Sequence, residues 1–106
     1  MAKFLIKASY TPEGLTGLRK DGGTGRRRVV EELLHSVDGT LESMYWAFGD
    51  TDVFLVCDVP DHVSAVALSM AVNESGAVTM SATQLITADE IDEAAHRLVE
   101  YTPPGS

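Results

Sequence analysis

Thr40-Leu41-Glu42-Ser43-Met44-Tyr45-Trp46-Ala47-Phe48-Gly49-Asp50-Thr51-Asp52-Val53-Phe54-Leu55-Val56-Cys57-Asp58-Val59 decides the fold. Two runs rich in β-formers flank Gly49-Asp50-Thr51, which predicts a hairpin with strands over Thr40–Phe48 and Asp52–Val59. A sheet solvated on one side would leave one set of alternating residues polar. Here Leu41, Tyr45 and Ala47 alternate with Met44, Trp46 and Phe48, and Val53, Leu55 and Cys57 alternate with Phe54 and Val56. Strands apolar on both sides are covered on both. A chain of 106 residues has helices enough for one face. A second sheet must cover the other, which predicts a homodimer clasped sheet to sheet.

Upstream, Lys3–Tyr10 is predicted as a strand with Phe4, Ile6, Ala8 and Tyr10 on one side. Thr11 then caps a helix that has Pro12 at its first position and Glu13 in its first turn. Gly14 and Gly17 give that helix a flat strip where another backbone or a ligand can approach. Asp21-Gly22-Gly23 breaks it, and a second helix runs from about Gly25 to Val37 on the stripe Val29, Val30, Leu33, Leu34 and Val37. Gly39 is expected in the left-handed position that ends it.

Downstream, Asp61 caps a helix to about Asn73, Gly76 stops it, and Ala77–Ile86 is the fourth strand. Thr87-Ala88-Asp89-Glu90 is a capping box that opens a last helix to about Glu100. The order β-α-β-β-α-β, with a split first helix and an added C-terminal one, is the α+β ferredoxin-like pattern. One domain is expected over residues 1–101, with 102–106 a frayed tail.

A net charge of −8 argues against nucleic acid and anionic membranes, since most of the surface would repel them. No apolar run approaches the roughly 20 residues that span a bilayer. Lys7 interrupts the apolar start too soon for a signal peptide. A single cysteine, Cys57, rules out an internal disulfide and fits a reducing cytoplasm. It lies mid-strand among apolar residues and is expected to be a small buried hydrophobe.

The basic cluster Arg26-Arg27-Arg28 follows Asp21-Gly22-Gly23-Thr24-Gly25. Its spacing is not that of a phosphate-binding loop. Arg27 meets Glu31 and Arg28 meets Glu32 one turn on, so pairing inside the chain or across an interface is the first expectation. A small anionic ligand at Arg26 is the second. His35, His62 and His96 stand on three different helices without metal-ligand spacing, and no metal or cofactor is expected. His62, at a helix start directly after a strand, is first expected to be an exposed first-turn residue, and it is the one histidine for which moving a proton over the sheet edge is a second reading.

Tyr10, Tyr45, Trp46, Thr51 and Asp52 come from strands or strand ends that should be neighbours. Core or dimer interface is the first expectation for most of them. The second is that with Met44, Met70 and Met80 they line an apolar pocket between sheet and helices, the kind of place where small ligands bind. The helix after Asp61 is apolar nearly all round, which calls for contact beyond the dimer or a roof of other helices.

Three stretches of the chain, Lys3–Leu18, Arg26–Asp61 and Ala65–Val78, resemble the GYD domain family in order and spacing. The landmarks are Tyr10-Thr11-Pro12-Glu13-Gly14-Leu15, Phe48-Gly49-Asp50, and Ala71-Val72-Asn73 followed by Gly76. The motif naming the family has glycine, a variable residue, tyrosine and aspartate. This chain has Gly49-Asp50-Thr51-Asp52, with threonine in place of the tyrosine. The resemblance implies a dimeric α+β barrel and assigns no activity. Three functions are therefore carried forward. The first is a homodimer, or larger homo-oligomer, binding a small, partly apolar molecule. The second is a cofactor-independent oxygenase, isomerase or cyclase using His62, Tyr10, Tyr45 or Asp52. The third is an assembly module without a ligand.

Overall fold

The computed structural model describes Met1–Ser106. Seven elements follow one another: β1 (Ala2–Tyr10), α1 (Pro12–His35), β2 (Thr40–Trp46), β3 (Val53–Val59), α2 (His62–Glu74), β4 (Val78–Leu85) and α3 (Ala88–Ala95). The strands form one antiparallel sheet in the order β2-β3-β1-β4. Each half is a split βαβ unit, the ferredoxin-like arrangement. No helix is long and apolar enough to cross a membrane.

The expected caps are in place. Thr11 accepts the Gly14 amide, Asp61 accepts that of Ser64, and Thr87 with Glu90 closes a capping box. The break in α1 falls at Gly22, whose φ of 74° and ψ of 169° belong to a region open only to glycine. Helical geometry resumes at once, so the two expected helices form one kinked element. Several boundaries differ from expectation, the ends of β2 and α3 among them. β2 stops at Trp46, because Phe48 turns left-handed (φ 54°), and α3 stops at Ala95.

Gly39 is not the left-handed residue after α1. Asp38 takes that conformation (φ 60°), as aspartate tolerates. Gly39 instead sits where a Cβ would stand 2.8 Å from the Asp58 carbonyl oxygen and 3.1 Å from that of Leu34. Glycine is needed there for the close approach of the turn between α1 and β2 to β3.

A β-bulge corrects the expected facing of β2. Leu41 pairs with Cys57 and Ser43 with Val56, which leaves Glu42 extra between them. The bulge turns Leu41 to the same side as Met44 and Trp46, under the helices, and leaves Tyr45 on the opposite side. Glu42 accepts from Lys3 Nζ at 2.7 Å, and Asp58 accepts from the same ammonium at 3.1 Å. These bonds, that to Glu42 first, hold the Lys3 pKa above its ordinary value.

The core lies between the sheet and α1 and α2. Phe4, Ile6, Ala8, Met44, Val53, Leu55, Cys57, Val59 and Val78 from the strands meet Val30 and Leu34 of α1 and Ala65 and Leu68 of α2. The other side of the sheet carries Leu5, Phe54, Val56 and Tyr45 at its middle, and no element of the chain covers them. Beyond β4, α3 leaves every residue exposed, and the molecule measures 59 × 31 × 23 Å.

Candidate functional site

Between the sheet and the kinked α1 the core is not fully closed. A slot lined by 15 residues, 14 of them hydrophobic, opens there. It holds about 590 Å³ of atom-free space with its open mouth included. It is narrow, since the centre of a water molecule could move through only about 60 Å³ of it. The floor is the inner face of the sheet, including Ile6, Met44 and Leu55, and the wall is Val30, Leu33 and Leu34 of α1. α2 contributes Leu68 and Val72.

Two residues bring polar chemistry to this lining. Arg26 is its one charged member. It precedes Val30 by one turn and Leu33 and Leu34 by two, so it stands on the core-facing stripe of α1. Tyr10 comes from the end of β1, and its position is set by two contacts. Its backbone N–H donates to Asp52 Oδ2 at 2.9 Å, in a place where a ladder carbonyl would otherwise accept. Its hydroxyl accepts from Trp46 Nε1 at 3.0 Å. Trp46 in turn lies 3.8 Å from where a Cβ on Gly23 would be, just past the kink. The Tyr10 hydroxyl proton has no acceptor in the protein, and the Arg26 guanidinium has neither a hydrogen bond nor an ion pair. Arg27, by contrast, reaches Glu31 at 3.5 Å.

Of the residues expected to share a pocket, Tyr10, Met44 and Met80 do line the slot, and Arg26, the candidate for a small anion, lines it as well. Trp46 touches it through Tyr10. The others lie elsewhere. Tyr45 is 72% exposed on the uncovered face. Met70 is 65% exposed on the outer side of α2, in a stripe with Val63 and Val66. Thr51 borders a shallow polar depression with Lys7, Ser9, Thr79, Met80 and Ser81. Asp52 uses its carboxylate to accept from the Tyr10 amide, and its backbone to bond Ala47 and Ala8. His62 is exposed at the start of α2 and borders neither space. Its neighbour Asp61 has a carboxyl held below its ordinary pKa by the Ser64 backbone and hydroxyl hydrogen bonds, which is the signature of a cap.

The lining residues Val30, Leu33 and Leu34 appear in the sequence as an ordinary helix stripe. Arg26 extends that stripe by one turn, and this register is the signal that ties it to the slot. Cys57 also lines the slot, with 1% of its surface exposed. Burial, then the Asp58 carboxylate, pushes its thiol pKa up to about 11, so it is no nucleophile at neutral pH. No group of three or more histidine, cysteine or carboxylate side chains is placed to hold a metal ion.

A four-stranded antiparallel sheet with two crossover helices on one face defines an α+β protein of ferredoxin-like type. Residues 4–95 match the GYD domain, and the chain belongs to that family. No curated protein and no solved structure matches it. Family membership assigns no chemistry, and the slot has to be read from its own residues.

Proposed function

We propose that this protein is a homodimeric binding module that holds a small, partly apolar molecule in the slot between sheet and helices. The observation that carries the ligand reading is the slot itself. It is apolar in all but one lining residue, and its lining includes a charged residue, Arg26, and a residue with a hydroxyl, Tyr10.

The dimer reading draws on the uncovered sheet face. Leu5, Phe54, Val56 and Tyr45 form a continuous apolar area across β1, β3 and β2, with Lys7, Ser81 and Thr83 at its margin. An apolar centre with a polar rim is the anatomy of a subunit interface. Two copies related by a twofold axis would bury these residues against each other and complete the barrel that the family suggests.

Sedimentation velocity and native mass spectrometry of gently isolated protein test both halves. Wild-type protein is expected to sediment as a dimer at micromolar concentration and to carry a small organic adduct. Phe54→Arg is expected to sediment as a folded monomer. A wild-type monomer under those conditions would remove the dimer, and a dimer that never takes up any apolar molecule would remove the ligand.

One observation favours a second reading, a cofactor-independent enzyme of isomerase or cyclase type. Tyr10 presents to the slot a hydroxyl whose proton has no protein acceptor. On that reading Tyr10→Phe binds the molecule found in the slot and no longer converts it.

A further inference from the structure

Arg26 occupies a place where the helix pattern calls for an apolar residue. Its partners on the stripe, Val30, Leu33 and Leu34, all line the slot. An arginine there lays its aliphatic stem on apolar neighbours, but its guanidinium keeps a fixed positive charge and a planar fork of donors. The chain carries 16 acidic residues, yet none pairs with Arg26, although Arg27 next to it finds Glu31. The slot therefore offers an apolar body, one unpaired half-buried cation, and one hydroxyl with a free proton. The chemistry that fits all three is a single carboxylate on a slender apolar body.

We propose that the slot binds an organic monocarboxylate, its apolar body between Met44, Met80 and Leu33 and its carboxylate on Arg26. This rests on the slot being a ligand site, as proposed above. The guanidinium fork matches the two carboxylate oxygens, and charge-assisted pairs of this kind are about twice as strong as neutral hydrogen bonds. The free Tyr10 proton is a further donor to such a head group. The slot is narrow, so the occupant is thin. Unbranched methionine side chains at Met44 and Met80 can swing to widen the floor without breaking the sheet. A dianion or a phosphate has no second cation in this lining. A cationic amphiphile would meet Arg26 with like charge.

Three probes with the same ten-carbon body separate head group from body: decanoate, decan-1-ol and decylamine. Each is titrated into the full-length protein by calorimetry, with Trp46 fluorescence as a second readout, since the chain has one tryptophan and its indole bonds Tyr10. Decanoate is expected to bind once per protomer, about tenfold or more tighter than the alcohol, with the amine weakest. Arg26→Gln should bring decanoate down to the level of the alcohol and leave the alcohol's affinity unchanged. Arg26→Lys should keep part of the preference. Unchanged urea midpoints establish that both variants are folded.

Equal binding of acid and alcohol, or a preference that survives Arg26→Gln, would overturn the monocarboxylate and leave the ligand slot standing. Failure of all three probes, with no adduct on isolated protein, would take away the slot as a binding site and the monocarboxylate with it.

Discussion

Both faces of the sheet carry apolar side chains on β1 and β3, but the helix side is apolar almost throughout and buried, whereas the other side is apolar only in a central patch. On the helix side every strand residue from Phe4 to Ala8 and from Val53 to Val59 that points inward is buried. On the other side Leu5, Phe54 and Val56 are only half-buried and Tyr45 is exposed. For the central patch the difference comes from the connections, because both crossovers bring their helices back over the same face. Alternation on two sides states a demand for cover, and connectivity decides which side the chain itself can satisfy.

The comparison is tested most strongly by truncating neighbours that point in opposite directions. Leu55→Ala should cost about 2–5 kcal/mol, the usual loss for a buried leucine. Val56→Ala should cost less than about 1 kcal/mol in dilute urea titrations, because half-exposed surface has less to lose. Repeating the titration at high protein concentration sharpens the contrast. The cost of Val56→Ala should grow as a partner covers it, whereas that of Leu55→Ala should not. Equal costs for the two at all concentrations would break the distinction between the faces.

A smaller effect is expected in the helix layer that makes one face the inner one. Gly14 and Gly17 lie three residues apart on α1, yet a Cβ on Gly14 would stand 1.9 Å from the Ala77 carbonyl oxygen, while one on Gly17 would meet nothing within 4 Å. Gly14→Ala is expected to destabilise by about 1–3 kcal/mol or more, through displacement of α1 from the start of β4. Gly17→Ala should stabilise by about 0.5–1 kcal/mol. Thermal melts of the two variants should move in opposite directions. A gain of stability in both would mean that α1 does not press on β4.

The smallest effect is a pH dependence of the inner face alone. The Cys57 thiol is raised from its ordinary value near 9 to about 11 in the folded chain. Its folded pKa lies above its unfolded one, so its contribution is intact below about pH 9 and is lost as pH rises through about 11. Urea midpoints should fall over that window, and Cys57→Ala should flatten the decline. A thiol that reacts with an alkylating reagent at pH 8 as fast in the folded chain as in urea would contradict this burial.

Much of this fold can be read from local chemistry. Thr11 before Pro12, Asp61 before α2 and the Thr87–Glu90 box each mark a helix start by side-chain bonds to nearby amides, and such signals depend on a few adjacent residues. The inner face of β1 follows from simple alternation for the same reason. What escaped was non-local. Nothing beside Glu42 announces a bulge, whose cause lies in pairing with β3, and that shift alone moved Leu41 under the helices and set it opposite Tyr45. Gly39 looked like a left-handed cap because glycine is permissive, but its need arises from the Asp58 carbonyl, distant in sequence. The same division holds for the slot. Tyr10, Arg26, Met44 and Met80 were visible as candidates, whereas the exclusion of Tyr45, Thr51, Met70 and His62 required the register and the helix placement.

Gly22 gives the slot a mechanical character. The half of α1 before it is moored to β4, where Thr11 Oγ1 donates to the Gly76 and Ala77 carbonyls and Gly14 lies flat against Ala77. The half after it carries Arg26 and the slot wall. A backbone joint that only glycine can form separates the two, so the slot wall and the fixed half-helix meet at a single residue, as a hand meets a forearm at the wrist. Entry of the small molecule proposed above would then ask for rotation about that one residue, with the strand ladder and the moored half-helix left untouched.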